Sequence, residues 1–204
     1  MPGMLRPKSL LLALIVAGLS SGVQAYERQM YFSFGGGKSY WDDGDLFAGR
    51  NLDKEDEARM LNFGWYFSRN AGLEFGYRIL GDFGYQAPFS GGFQDSVELS
   101  GNTIAFFQEV PLSEKVLFVP RLGLAALYYD QSFPSANDSP LGGVLGLGLQ
   151  FAPIPNLAFE LIAESYLYKL KGSTISIENN LPVVREESKT QSLTHTSAQV
   201  VIKF

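Results

Sequence analysis

His195 and Ser197 stand two apart in the run Ser192–Phe204. On an extended strand, positions i and i+2 share a face. An imidazole beside a hydroxyl is the pairing that activates a serine nucleophile, provided a third group orients the ring. Only seven residues follow Ser197 and none is acidic. A polar strand residue turned to an interior is the simpler reading of His195. A second set is ionic. Glu74, Arg78, Arg121, Glu160, Glu164 and Lys203 each fall on the strand face opposite to large apolar residues. If that face is enclosed, its charges must pair or meet water. The two outcomes are an ion-paired plug and a narrow hydrated path. Gly35-Gly36-Gly37-Lys38-Ser39 ends like a phosphate-binding loop. The opening Gly of that motif is Phe32 here, and no helix follows to present its N-terminus. The acidic stretch from Asp42-Asp43-Gly44-Asp45 to Asp53-Lys54-Glu55-Asp56-Glu57 lacks the spacing of a calcium loop and reads as solvated.

Composition narrows the classes further. The chain has 204 residues, no Cys and one His, so disulfide scaffolds, zinc–thiolate sites and cysteine nucleophiles are excluded and no cofactor or metal is expected. A net charge of −5 argues against nucleic acid as a partner, because the phosphate backbone calls for a basic face. Residues 1–25 read as a cleaved secretory signal: Arg6 and Lys8, the apolar run Leu10–Leu19, then Val23-Gln24-Ala25 as the small-x-small cleavage site. The apolar run is too short to span a bilayer, which takes about 20 residues. The expected mature domain is 26–204.

What positions the charged residues is a series of alternating strands. Period-2 patterning gives eight, at about 29–41, 59–68, 71–84, 96–110, 116–130, 140–152, 157–170 and 192–204. Each is on the order of 10–14 residues, and a tilted strand needs about 9–11 to cross a bilayer. Connections alternate: 68–70, 112–115 and 153–156 are tight, whereas 42–58, 85–95, 131–139 and 171–190 are long, polar and rich in turn-forming residues. That rhythm fits an all-β, eight-stranded, antiparallel up-and-down barrel with short periplasmic turns and longer outer loops.

Faces are legible on several strands. Leu141, Leu145, Leu147, Leu149 and Phe151 oppose Gly142, Val144, Gly146, Gly148 and Gln150. Leu157, Phe159, Leu161 and Leu167 oppose Glu160, Glu164 and Tyr166, and Leu73, Phe75, Tyr77 and Ile79 oppose Glu74, Gly76 and Arg78. Small polar faces suit a narrow interior. The strand at 96–110 is irregular and its faces are not assigned. Aromatics near strand ends, among them Phe34, Trp41, Trp65, Phe67, Phe83, Tyr85 and Tyr128, are expected at the two lipid–water boundaries. In the last strand Ala198, Val200, Ile202 and Phe204 alternate outward; Val200, Ile202 and Phe204 read as an assembly signal, taken up through strand pairing by the barrel-insertion machinery.

The segment Trp65-Tyr66-Phe67-Ser68-Arg69-Asn70-Ala71-Gly72-Leu73-Glu74-Phe75-Gly76-Tyr77 resembles a turn-bearing hairpin of OmpA-type transmembrane barrels. Val119-Pro120-Arg121-Leu122-Gly123 and Gly146-Leu147-Gly148-Leu149-Gln150-Phe151, with Pro155-Asn156-Leu157, agree with it. The resemblance implies an outer-membrane barrel with an internal charge cluster, in which Glu74 and Arg121 match members. Gln150 stands where the family can carry an acid, Glu160 where it can carry a base, and Phe107 near a place used by Lys. The sequence ends with the barrel, like single-domain proteins of the OmpA/OmpX type. The implied role is non-enzymatic: envelope integrity and surface interaction through outer loops, in contact with outer-membrane lipid and lipopolysaccharide, as a monomer. The alternative is a narrow porin-like channel for small solutes. A lipid A hydrolase is third, because such deacylases, which resemble this chain in a His-x-Ser pair, need that pair on the lipid-facing side, where Ala198 and Val200 stand instead.

Overall fold

The computed structural model describes residues 30–42, 51–86, 94–131, 140–178 and 181–204. The expected signal at 1–25 lies outside the described residues, as do 43–50, 87–93, 132–139 and 179–180 in the four expected outer connections. The strands are β1 (Met30–Asp42), β2 (Glu55–Tyr66), β3 (Ala71–Gln86), β4 (Gln94–Gln108), β5 (Val116–Gln131), β6 (Leu141–Ile154), β7 (Leu157–Glu178) and β8 (Leu181–Lys203). Two short pieces, Asn51–Leu52 and Val110–Pro111, add to β3 and β5. Every neighbouring pair is antiparallel, and β1 bonds both β2 and β8 (Tyr31 lies opposite Gly64 and Lys203), so the sheet closes on itself. Closure leaves no edge strand, which is the condition for a sheet in lipid. There is no helix among the described residues.

The tight turns share one end with both described chain termini. Phe67 N and Ser68 N donate to Ala71 O, Leu112 N donates to Val116 O at 2.9 Å, Lys203 N to Asn156 O at 2.9 Å, and Met30 N to Phe204 O at 3.2 Å. In outer-membrane-type barrels the short turns are those of the periplasmic end. The outside is apolar: Leu141 is 77% exposed and Leu161 64%, while their neighbours Gly142 and Ile162 are buried. The faces read from β3, β6 and β7 are the faces observed.

Three expectations need correction. First, 171–190 is not a loop. β7 and β8 stay paired to Glu178↔Leu181, because Thr174, Ile175, Ile177, Val183 and Val184 are β-branched and favour extended backbone. β2 likewise starts at Glu55, inside the stretch read as a loop. Second, β6 runs to Ile154 through an irregularity between Phe151 and Ile154, so the turn is Pro155-Asn156 alone. Third, Trp41 and Phe83 are not in a boundary belt. Both are fully buried inside the barrel, with ring centroids 5.3 Å apart. Trp41 shares the inward parity of Ser39. Phe83 is turned inward by a bulge between Ile79 and Gly81, where Gly81 adopts φ 132°. That backbone region favours glycine, and the inserted residue switches the alternation so that Leu80 and Phe83 both face the interior. The side chain of Tyr85 lies outside the described residues.

Candidate functional site: a charged layer sealed at both ends

Inward residues form three layers. Toward the loop end, Trp41, Leu80, Phe83, Leu99, Leu127 and Leu193 pack into one apolar cluster. Toward the turn end, Tyr31, Tyr66, Phe107, Val119, Ala158 and Val201 form a second. Tyr31, Tyr66 and Phe107 meet edge to face, with centroids 5.1–5.7 Å apart. The charged side chains lie between.

Arg121 on β5 is the centre of that layer. Its Nη1 and Nη2 donate to Glu160 Oε1 and Oε2 at 2.5 and 3.0 Å, and its Nε donates to Glu74 Oε2 at 3.3 Å. β6 separates Arg121 from Glu160, so the guanidinium must cross it. The glycines of β6 make that possible: a Cβ at Gly148 would fall on the Glu160 carboxylate, and one at Gly146 would stand 3.2 Å from Arg121 Cβ. Glycine weakens a strand interior; here it opens the trench in which a bidentate ion pair lies flat. Arg78 forms the second fork, with Nε and Nη2 each 3.1 Å from a Glu164 oxygen, and it also donates to Asn62 Oδ1. Glu74 joins the forks: Oε2 accepts from Tyr31 and Arg121, and Oε1 lies 3.6 Å from Arg78. Neutral groups complete the layer. Tyr166 donates to Glu164 at 2.6 Å, Gln199 Nε2 to Glu160 at 2.8 Å, and Asn62 Nδ2 to Ser33 and Gln199 at 2.9 and 3.0 Å. Nearer the turns, Lys203 Nζ donates to Glu109 at 2.5 Å and Gln150 at 2.9 Å, and Tyr66 also donates to Glu109. The side chains of both arginines and all three inward glutamates are at most 2% exposed. Ions held so far from water persist because each is matched by a partner and by neutral donors.

The structure therefore brings together Glu74, Arg78, Arg121, Glu160 and Glu164, and places Lys203 one layer below. It does not bring His195 to Ser197. His195 Nδ1 lies 3.3 Å from Ser39 Oγ, its Nε2 has no hydrogen-bond partner, and Ser197 Oγ donates to Met60 Sδ at 3.4 Å. Both side chains face the interior rather than lipid. No group of three or more His, Asp or Glu poised to hold a metal occurs among the described residues. Sequence reading did not find Tyr31, Asn62, Gln199 or Glu109. Gln199 sits between the outward-assigned Ala198 and Val200, so its signal was present, whereas no faces were assigned on the strands that carry Tyr31 and Asn62. Glu109 follows β4, the strand whose faces were unreadable.

The sequence matches the family described as OmpA-like transmembrane domain over residues 25–183. No curated protein matches it. Among solved structures it is similar to the outer membrane protein OprG of Pseudomonas aeruginosa, at 14% identity and a TM-score of 0.57, covering 87% of this chain and 97% of that one. It is similar to Neisserial surface protein A, at 14% identity and 0.55, covering 86% and 97%. It is also similar to Ail, the attachment invasion locus protein of Yersinia pestis, at 16% identity and 0.51, covering 88% and 100%. At such identities the likeness is one of fold, and the fold is the small outer-membrane barrel. A closed eight-stranded barrel, an apolar exterior and a family match over most of the sequence converge: the protein is a bacterial outer-membrane β-barrel and belongs to the OmpA-like transmembrane domain family.

Proposed function

We propose that this barrel is a non-enzymatic structural protein of the outer membrane that contributes to envelope integrity and presents its outer connections for surface interaction. The observation that carries this reading is the sealed interior. An apolar cluster closes each end, and the charged groups between them are spent on one another. An eight-stranded barrel has an interior just filled by side chains. A catalytic role lacks geometry, since the hydroxyl and imidazole that suggested it point to different partners. Residues 1–25 act as the export signal in this reading. The barrel is a monomer among lipid and lipopolysaccharide, and the lipid-facing Val200, Ile202 and Phe204 of β8 engage the insertion machinery.

The test is planar-bilayer recording of the purified, refolded protein, run beside detergent sensitivity of cells lacking it. No discrete conductance, with heightened sensitivity of the deletion strain, is the expected result. Stepwise single-channel currents would replace this reading with the channel. Altered lipid A mass on overexpression would replace it with the hydrolase.

A further inference from the structure

The charged layer holds three buried carboxylates, Glu74, Glu160 and Glu164, against two guanidiniums, Arg78 and Arg121. Lys203 and Glu109 cancel one another nearer the turns. One negative charge is left in surplus, and a buried charge without a counterion is costly. Two buried polar atoms in and beside the layer have no hydrogen-bond partner, Glu74 Oε1 and His195 Nε2, and His195 is fully buried. Register sets His195 in a row of four. Glu164, His195, Ser39 and Asp56 are successive partners across β7, β8, β1 and β2. Side chains directly opposite in an antiparallel pair stand about 4.5–5.5 Å apart at Cβ. Ser39 Oγ lies 3.3 Å from Nδ1 of the ring. The row climbs the barrel. Glu164 belongs to the charged layer, and Ser39 is one inward position short of Trp41 in the loop-end seal. Asp56 is half-buried at the loop end, where its Oδ2 accepts from Asp82 N at 2.5 Å.

We propose that His195 is a proton-binding site of the barrel interior, loaded from the outer medium through Asp56 and Ser39. With the Ser39 hydroxyl donating to Nδ1, the ring proton sits on Nε2. A hydronium ion outside gives its proton to the Asp56 carboxylate and leaves as water. Asp56 passes a proton to Ser39 Oγ as the Ser39 hydroxyl proton moves to Nδ1, so both return to their starting forms. The imidazolium then presents Nε2–H toward Glu164. That carboxylate has about four acceptor positions. Arg78 takes two of them and Tyr166 a third. One proton cancels the surplus charge. The charges acting on the ring are Glu164 of β7 and Arg78 of β3, and the Lys38 carbonyl of β1 stands beside it as a further acceptor. Behind them are Tyr166 and Glu160 of β7, Glu74 of β3 and Arg121 of β5. Among the described residues, β4 and β6 turn only uncharged side chains inward at this level, Thr103 and Val144 among them. An eight-stranded interior is just filled by side chains, so the ligand that suits it is a bare proton rather than a metal ion.

The chain contains one His, so histidine-labelled protein without a tag gives a single imidazole in the NMR spectrum. The experiment is an acid titration of the barrel in phospholipid vesicles, followed at the ring nitrogens, with folding checked at each pH by heat-modifiable gel mobility. The expected result is reversible passage from neutral ring to imidazolium while the barrel stays folded. Glu164→Gln removes the facing carboxylate and is expected to lower the proton affinity at least about tenfold. Glu74→Gln also removes the surplus charge, is expected to lower the affinity too, and serves where Glu164→Gln does not fold. Ser39→Ala and Asp56→Asn are expected to keep the titration but to slow it, splitting one averaged ring signal into separate neutral and charged ones. A ring that stays neutral until the barrel unfolds overturns the site. Unchanged affinity in both glutamate variants overturns the surplus charge as its cause. Unchanged exchange in both Ser39→Ala and Asp56→Asn overturns the route.

Discussion

Replacing Arg121 by alanine separates an ion-paired plug from a decorative one. Arg121 neutralises Glu160 through two hydrogen bonds and Glu74 through a third, inside a layer where its own side chain is 2% exposed. After truncation Glu160 keeps only the Gln199 amide at 2.8 Å, and Glu74 keeps Tyr31 and an Arg78 contact at 3.6 Å. Removing one member of a buried pair costs about 3–5 kcal/mol, because the surviving charge stays buried. At about 1.4 kcal/mol per decade, that shifts the unfolding constant more than about a hundredfold. Urea titration in lipid vesicles, followed by the fluorescence of Trp41 and Trp65, measures it. A companion variant carrying Arg121→Met, Glu160→Leu and Glu74→Leu removes the charges together and is expected to recover most of the loss. Should Arg121→Ala fall within about 0.5 kcal/mol of wild type, as surface substitutions do, the buried network would not be holding the interior together. Should the triple variant be as unstable as the single one, lost packing rather than stranded charge would be the cause.

Trp41→Ala, in the loop-end seal, is expected to cost about 3–5 kcal/mol by cavity formation and to admit water to the charged layer, read as faster exchange of the β1 amides near Ser39. Unchanged exchange there would mean the seal does not exclude solvent. His195→Leu is expected to leave stability within about 1 kcal/mol, since the ring gives up one long contact to Ser39 and an unpartnered nitrogen, and to leave lipid A unaltered by mass spectrometry. A large loss would show the imidazole to be structural beyond that contact. Deleting Phe204, whose backbone closes onto Met30, is expected to reduce the folded, heat-modifiable fraction in the membrane. Assembly at wild-type yield would remove Phe204 from the assembly signal.

The barrel was readable where its two sides differ in polarity. On β6 every outward residue but Gly143 is large and apolar from Leu141 to Phe151, and the inward ones are mostly Gly, so alternation is unmistakable. On β4 that contrast disappears: Val97, Leu99, Ala105 and Phe107 face inward because they build the seals, while Glu98 and Asn102 face out. An apolar interior cancels the pattern on which period-2 reading depends. The same confusion sent Trp41 and Phe83 to the boundary belt, since a ring near a strand end suits a seal as well as an interface. The long β7–β8 pairing was hidden by the polar residues between its β-branched runs. The ionic residues were legible as inward charges, but not their pairing. That Arg121 reaches Glu160 across β6 follows from glycine leaving space, which needs neighbouring strands in register.

The account depends on lipid lying outside the sheet and neither lipid nor water lying within it. Single cysteines, made straightforward by the absence of any other, report both sides: spin labels at 145, 147 and 149 in bilayers through collision with oxygen and with a water-soluble nickel chelate, and an unlabelled Val144→Cys, which fits the buried site, through its reaction with a water-soluble thiol reagent. High oxygen and low nickel accessibility at 145, 147 and 149, with no reaction at 144 until the barrel is unfolded, is the predicted result. Rapid reaction at 144 in the folded barrel would mean an open aqueous interior, and nickel contact at 145, 147 and 149 would mean that the leucine face meets water.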